Sequence, residues 1–221
     1  MKLNAVKNAS EFFNRDLFTV VGTPTISEDG IASGFTSAKY LFTTKTFNLS
    51  EAETWEITTP MFSFEEFTER NWIVTADNIK NSIRLGIREN GSVTFGVWHT
   101  LSPDSKNIIF SNDIETSVFQ VKVKNFYQAK IGFDGNAYYL KISTEQSDFV
   151  EIFRFISTTK LTYNPSVYFG KLSTLTAPDA VMDLKQFLVS IDGHVVFDGI
   201  KKRNRLHAVL ENGKFYAMRT Y

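Results

Sequence analysis

The chain has 221 residues, a length at which an all-β sandwich commonly forms a single domain. Hydrophobic residues make up 43% and charged residues 22%, so the composition excludes a wholly disordered or fibrous chain. The 24 basic and 24 acidic residues cancel, so net charge does not steer the chain toward nucleic acid or an acidic membrane. The apolar residues include 21 Phe, 8 Tyr and 3 Trp, a composition that favours strands.

Cysteine is absent, which excludes disulfides, thiolate metal sites and a thiol nucleophile. Residues 1–8 are interrupted by polar groups and lack the apolar run of a signal peptide. No stretch approaches the roughly 20 apolar residues that a membrane span needs. We therefore expect neither a membrane partner nor a nucleic-acid partner, and no export by the signal-peptide route.

Short strand patterns follow one another along the chain, separated by Gly, Asn and Asp. They lie at 18–22, 40–47, 55–64, 72–75, 82–88, 92–99, 118–123, 127–133, 136–143, 150–157, 167–170, 183–191, 195–197, 206–210 and 215–219. Many short strands with this punctuation are typical of a sandwich or barrel. Helical patterns are limited to residues 5–14 and 64–70.

Turn residues predict three hairpins, and apolar alternation supports the register of two of them. A three-residue loop at 89–91, with Gly91 in the left-handed conformation, pairs Ile87 with Val93 and places the aliphatic residues of both strands on one face. A turn at 212–213 pairs Glu211 with Lys214. A two-residue loop at 134–135 gives another hairpin one apolar face, formed by Tyr127, Ala129, Ile131, Phe133, Tyr138, Leu140 and Ile142.

The C-terminal hairpin carries apolar residues on both faces, more than one contact with its own sandwich would cover. Residues 199–221 also contain six basic residues and one acid, whereas residues 26–69 contain eight acids and two bases. We expect the hairpin to serve assembly, either with another copy or with a neighbouring protein. The assembly residues predicted from this pattern are Leu210, Phe215, Tyr216 and Arg203. The alternatives are a hairpin that caps its own sheets and charged faces that are simply solvated.

The catalytic motifs that a sequence can reveal are missing. His99, His194 and His207 show no metal-ligand spacing, and there is no nucleophile elbow, phosphate-binding loop or dinucleotide fingerprint. The polar segments 100–107 and 111–113 read as a connection between strands and match no calcium-loop motif. We predict no catalytic residue, no metal and no cofactor.

Aromatic residues provide the candidate binding site. In the 82–98 hairpin, the face opposite the core pairs Ser82 with Trp98 and Arg84 with Gly96. A tryptophan beside small residues and a guanidinium suits a sugar, because the ring stacks on C–H groups while the guanidinium binds hydroxyls. The predicted carbohydrate-binding residues are Trp98 and Arg84, with Tyr139, Trp72 and Tyr40 as weaker candidates. The alternatives are that Trp98 is covered by a loop or the second sheet, and that the other three pack in the core.

Further motifs at 22–35, 82–87, 92–95, 127–143, 167–170, 182–187 and 192–193 have a characteristic order and spacing. In these the sequence resembles the concanavalin A-like lectin/glucanase (laminin G-like) family, in the divergent form common among bacteriophage structural proteins and carbohydrate-binding modules. The resemblance implies a jelly-roll sandwich of two curved antiparallel sheets, with ligands on the concave face or rim loops. The resemblance begins at Gly22, and together with the patterns above it gives predicted domains of 1–16 (an N-terminal arm or short helix), 17–200 (the sandwich) and 201–221 (the hairpin).

Glucanases of this family carry three alternating acids, and this sequence has only the pairs Glu51/Glu53 and Asp113/Glu115. The third position is Trp55 after the first pair and Ser117 after the second, so the resemblance does not imply an enzyme. No Asp/Asn cluster in this sequence matches a legume-type calcium site. The expected function is that of a non-enzymatic virion component of the tail, fibre or head surface, made in the host cytoplasm. It would bind host or mucosal glycans, contact other virion proteins and form homo-oligomers. The alternative is a structural adaptor or decoration module without sugar binding, and a glycoside hydrolase is a distant third.

Overall fold

The computed structural model describes residues 11–13, 15–67, 70–76, 82–98, 108–114, 119–172, 175–176, 179–202, 206–211 and 214–219. In this part of the chain the regular structure is β, apart from two 3₁₀ helices at Arg15–Leu17 and Leu184–Gln186. The predicted all-β antiparallel class is confirmed. No helix of the described part is long and apolar enough to cross a membrane.

The strands of the described residues are numbered in chain order. They are β1 Glu11–Phe13, β2 Phe18–Val21, β3 Thr25–Ile26, β4 Ile31–Ser33, β5 Tyr40–Thr43, β6 Trp55–Thr58, β7 Met61–Phe64, β8 Arg70–Ala76, β9 Ser82–Arg88, β10 Val93–Trp98, β11 Ile108–Ile114, β12 Tyr127–Phe133, β13 Ala137–Thr144, β14 Val150–Ile156, β15 Val167–Phe169, β16 Lys171–Leu172, β17 Leu175–Thr176, β18 Ala180–Asp183, β19 Leu188–Ile191, β20 His194–Asp198, β21 Ile200–Lys202, β22 Leu206–Glu211 and β23 Lys214–Arg219.

Two large sheets make the sandwich. The first has seven strands in the order β11-β10-β9-β8-β15-β5-β2. The second has ten strands and pairs in the order β20-β19-β6-β12-β7-β18-β4-β3, with β13 on the other side of β12 and β14 beyond β13. Because β6 and β7 are two parts of one bent segment, both lie against the same edge of β12.

The core lies between the two sheets. One row of residues crosses the seven-stranded sheet and faces inward, and its members Leu41, Phe169, Val74, Leu85 and Phe95 are all fully buried. The two sheets meet at aromatic contacts, since Phe95 packs edge-on against Phe153 of the ten-stranded sheet at 5.9 Å between ring centres. Such edge-to-face pairs explain why a Phe-rich sequence suits this core.

The hairpin predicted at 82–98 is confirmed in register. Ile87 pairs with Val93, Leu85 with Phe95 and Ile83 with Val97. Gly91 has the predicted left-handed conformation, with a φ of 79°. The C-terminal hairpin also has the predicted register, with Glu211 opposite Lys214 and β22 and β23 forming a two-stranded sheet of their own.

The hairpin of β12 and β13 has the predicted faces, but its predicted turn is wrong. Phe133 pairs with Tyr138, so the turn is centred on residues 135–136 and not on 134–135. The Asp134 carboxylate accepts hydrogen bonds from the backbone N–H groups of Asn136 and Ala137, at 3.1 and 2.9 Å. These bonds close a turn that starts at Asp134. The shift is two residues in register, so every side chain stays on its predicted face.

Four other sequence predictions are corrected. Glu11–Phe13 is a strand paired with β21, whereas a helix was predicted over 5–14. The described part of 64–70 contains no helix, and the described part of 118–123 forms only a bridge from Gln120 to Ser92. Residues 111–113 lie within β11 and not in a connection. Asn112 stands opposite the core residue Phe95, which interrupts the apolar alternation that would have indicated a strand.

Candidate functional site

The outer face of the seven-stranded sheet holds the predicted residues Arg84 and Trp72, and the register places Trp98 opposite Ser82 in the same sheet. A row of residues crosses this face from edge to edge. In strand order it is Thr19, Phe42, Tyr168, Thr75, Arg84, Gly96 and Ser111. The side chain of Trp98 lies outside the described residues.

The face is buried where it crosses β8, β9 and β10. Ser82, Thr75 and Thr94 are at most 4% exposed, and Trp72 is 2% exposed. The Trp72 ring lies against Gly86, where an added Cβ would stand 2.9 Å from the indole. Arg84 is half-buried and donates from Nε to Ser82 Oγ at 2.7 Å. Trp72 therefore presents no ring face to solvent in this structure.

The partly accessible portion of the face lies on β5 and β15. Tyr40, Phe42 and Tyr168 are half-buried there and form a group that we call the aromatic platform. The Phe42 and Tyr168 rings are stacked, with centres 5.1 Å apart and planes inclined by 21°. Tyr40 lies 6.4 Å from Phe42 and 6.2 Å from Tyr168. The platform thus offers three neighbouring apolar rings.

Strand alternation explains how the platform forms. In β5, Leu41 and Thr43 are buried while Tyr40 and Phe42 point to the other side. In β15, Phe169 packs in the core and Tyr168 lies opposite Phe42. Of these rings the sequence singled out only Tyr40. The alternation in both segments was visible, but nothing local indicates that β15 pairs with β5.

Tyr139 lies on the ten-stranded sheet, so it is not brought together with Arg84. Its hydroxyl donates to Glu56 Oε2 at 2.9 Å, and Lys130 Nζ is 2.8 Å from the other oxygen of that carboxylate. Tyr139 is 8% exposed, and Lys141 Nζ lies 4.9 Å from its ring centre. The residue is thus held in a polar cluster on the outer face of this sheet.

The electrostatics of this cluster follow from burial and ion pairing. Burial, reinforced by the adjacent Glu56 carboxylate, raises the pKa of Tyr139 above its ordinary value. Partial burial opposes ionisation of Asp134, but hydrogen bonds from Arg154, Asn136 and Ala137 outweigh it and lower the pKa of Asp134. Arg154 bonds to both Asp134 and Glu151, at 2.7 and 2.8 Å. The cluster therefore favours the ionised form of Asp134 and the neutral form of Tyr139.

The two acid pairs that match part of the glucanase triplet lie in different parts of the chain. Glu51 and Glu53 lie in a turn before β6, where Glu51 accepts from Asn48 and Glu53 pairs with Lys160 at 2.8 Å. Asp113 lies in β11, and Glu115 is outside the described residues. Within the described part of the chain no group of three or more His, Cys, Asp or Glu residues could hold a metal ion.

The predicted assembly residues lie in the C-terminal hairpin. Leu210 pairs with Phe215, and Tyr216 pairs with Val209. Arg203 lies outside the described residues. Whether these residues serve assembly stays a prediction.

Comparison with solved structures identifies the fold. The chain is similar to the metal-free exoplasmic/lumenal domain of VIP36, with 6% identity, a TM-score of 0.50 and coverage of 93% of this chain and 91% of that one. It is similar to a variant of alginate lyase A1-II′, with 11% identity, a TM-score of 0.50 and coverage of 81% and 96%. Peanut lectin shows 9% identity and a TM-score of 0.49 over 79% and 92%. No protein-family model and no curated protein matches the sequence.

The fold is a lectin-like jelly roll. The two antiparallel curved sheets and the C-terminal hairpin agree with the predicted class, and the resemblance to concanavalin A-like proteins is confirmed at the level of the fold. At these identities the likeness concerns architecture alone, because one fold carries many functions.

Proposed function

We propose that the chain is a non-enzymatic carbohydrate-binding protein that holds glycans on the aromatic platform. The observation that carries the proposal is the group of three half-buried rings on the outer face of the seven-stranded sheet. Contiguous apolar groups on a surface are where ligand-binding sites form. Sugar rings fit such a surface because their C–H faces stack on aromatic rings.

Polar groups adjoin the platform along the same row. Thr19 lies opposite Phe42 on the β2 side, and Arg84 lies two strands beyond Tyr168 on the other. Arg84 stands about 10 Å beyond Tyr168, but the intervening Thr75 is 2% exposed, so a ligand on the platform does not extend along this row to Arg84. The VIP36 domain, which has this fold, has also been solved in a Ca²⁺/Man-bound form.

The biological setting in the proposal is a virion, with the domain on the tail, fibre or head surface and the C-terminal hairpin contacting another copy or a neighbouring virion protein. The sequence resemblance to phage structural proteins supports this setting. The hairpin supports it too, since an isolated two-stranded hairpin is marginally stable and needs a surface to pack on. Mass spectrometry of purified particles tests the setting: finding the chain at stoichiometric amounts supports it, and finding it only in the host lysate refutes it.

A glycan array tests the ligand class. The wild-type protein is expected to bind a restricted set of glycans, and Phe42→Ala is expected to reduce the signal, since it removes one ring of the stacked pair. The same array with Trp98→Ala tests the residue first predicted from the sequence, with an expected loss of about 1 to 3 kcal/mol if its indole contacts the ligand. Uniform absence of binding across the array, with folded protein, refutes the proposal.

A structural adaptor without sugar binding is the second candidate. Its contacts with neighbours would include the exposed aliphatic side chains of β14 and β20, where Ile156 is 82% exposed, Val195 60% and Val150 59%. Such residues suit contacts with neighbouring proteins. An adaptor would show stoichiometric incorporation into particles and no binding on the array.

A further inference from the structure

A second concave site lies at one end of the ten-stranded sheet, away from the aromatic platform. A cleft of about 250 Å³ is formed by the segment before β12 and by the turn between β13 and β14. Its lining consists of Lys124, Asn125, Phe126, Thr144, Glu145 and Gln146. The two walls are adjacent because Tyr127, next to Phe126, pairs with Thr144 across β12 and β13.

Hydrogen bonds fix both walls. On the first wall, the N–H of Lys124 donates to the Phe64 carbonyl at 2.8 Å, and Lys124 has a positive φ of 63°. On the second wall, the N–H of Thr144 donates to Ser147 Oγ at 2.9 Å, and the Thr144 hydroxyl bonds to the same oxygen at 3.0 Å. A site whose walls are already held in place loses little entropy when a ligand binds.

The lining has the chemistry that recognises hydroxyl groups. Asn125 and Gln146 each bring an amide that both donates and accepts, and Glu145 brings two acceptor oxygens. Phe126 is 37% exposed and supplies an apolar ring. The lining contains one base, Lys124, and one acid, Glu145, and Lys124 Nζ also lies 4.0 Å from a carboxylate oxygen of Glu65 outside the cleft, so neither sign of charge dominates the lining. Its volume lies below the roughly 300 to 1,000 Å³ of sites for drug-sized ligands, which suits a single ring.

We infer that this cleft binds one neutral sugar ring, with Phe126 stacking on its C–H face and the Asn125 and Gln146 amides bonding its hydroxyls. The inference rests on the proposed function for its class of ligand, a sugar. The position of the cleft is independent of that proposal, because the aromatic platform lies on the other sheet. Two sites on one domain make it bivalent toward a branched or repeating glycan. Linked sites of this kind strengthen binding to a multivalent surface without any new contact.

The test is an amide NMR titration of the full chain with methyl glycosides of mannose, glucose and galactose, with N-acetylglucosamine, and with glycine as a zwitterionic control. We expect saturable shifts at 124–126 and 144–146 with at least one sugar and none with glycine. Phe126→Ala is expected to weaken that binding by about tenfold or more, which corresponds to about 1.4 kcal/mol. Val123→Ala is the matched control, because Val123 is 40% exposed nearby and does not line the cleft.

The inference fails if no sugar gives saturable shifts in these residues, if glycine gives the same shifts, or if Phe126→Ala binds as tightly as the wild type. A Tyr168→Ala variant separates this failure from that of the proposed function. If Tyr168→Ala loses oligosaccharide binding and no sugar shifts the amides of the cleft residues, only the inference is overturned and the proposed function stands. If the cleft residues still shift and Tyr168→Ala binds oligosaccharide as tightly as the wild type, the inference is supported. The proposal that the platform binds glycans is then overturned.

Discussion

Gly132 is expected to be indispensable because the Tyr139 ring lies directly over it. A Cβ added at Gly132 would stand 2.5 Å from Tyr139 Oη and 2.6 Å from the Trp55 carbonyl oxygen, where ordinary contact is 3.4–4 Å. The ring can move away only by giving up its 2.9 Å hydrogen bond to Glu56. The Trp55 oxygen belongs to the backbone of β6 and cannot move without disturbing the sheet.

The magnitude for Gly132→Ala combines three effects. Overpacking costs about 1 to 3 kcal/mol, and loss of a hydrogen bond to a charged group costs about 1.5 to 3 kcal/mol. Alanine recovers about 0.5 to 1 kcal/mol because glycine is unfavourable in a strand. We expect a net loss of about 2 to 5 kcal/mol in the free energy of unfolding.

The assay is urea unfolding followed by tryptophan fluorescence, with Ser190→Ala as the control. Ser190 lies in the same cross-strand row, opposite Glu56, and no contact of Ser190 with Tyr139 is expected. A double-mutant cycle with Tyr139→Ala isolates the contribution of the ring, with an expected coupling of about 1 kcal/mol or more. A Gly132→Ala protein within about 0.5 kcal/mol of the wild type, or zero coupling to Tyr139→Ala, would show that the Tyr139 ring does not exclude a side chain at Gly132.

Three further predictions follow from single features. The pKa of Asp134 is lowered in the folded state, so this carboxylate contributes to stability above its ordinary pKa of 3.8, and the contribution is lost as the pH falls through the folded pKa. Asp134→Asn should therefore flatten the acid limb of a profile of melting temperature against pH, and an unchanged limb contradicts this. Gly91→Ala should destabilise the protein by about 1 to 3 kcal/mol in chemical denaturation, because φ is 79° and an added Cβ would clash with the Val121 carbonyl oxygen; a stability equal to the wild type would be inconsistent with the turn. Deleting residues 203–221 should leave a folded protein that no longer assembles, as measured by light scattering, whereas an unchanged oligomeric state or an insoluble product favours a hairpin that caps its own sheets.

Local pairings were predictable from the sequence. The β9–β10 register follows from a turn glycine and from alternation, whereas the β22–β23 register follows from the Asn212-Gly213 turn alone, because that hairpin has apolar residues on both faces. The β12–β13 turn was misplaced because the capping role of the Asp134 carboxylate competes with the usual Asp-Gly turn. β11 was missed because Asn112 interrupts its apolar pattern.

The binding face was only partly predictable. Alternation shows which side of β9 and β10 points away from the core, and the register confirms that Arg84 and Gly96 share that side. Alternation cannot show whether the side is covered, and Thr94 and Ser82 are in fact buried. The platform depends on Tyr168 meeting Phe42 through a pairing between segments far apart in the chain, which no local pattern reveals.

The central claim is that the aromatic platform binds glycans, and calorimetric titration of Tyr168→Ala with the best oligosaccharide from the array tests it most directly. Val195→Ala is the control, because Val195 is an exposed apolar residue on the other sheet. We expect Tyr168→Ala to lose about 1 to 3 kcal/mol of binding free energy, or about 5- to 150-fold in affinity, while Val195→Ala binds as the wild type does. Equal affinities for Tyr168→Ala and the wild type, with both proteins folded, would contradict it.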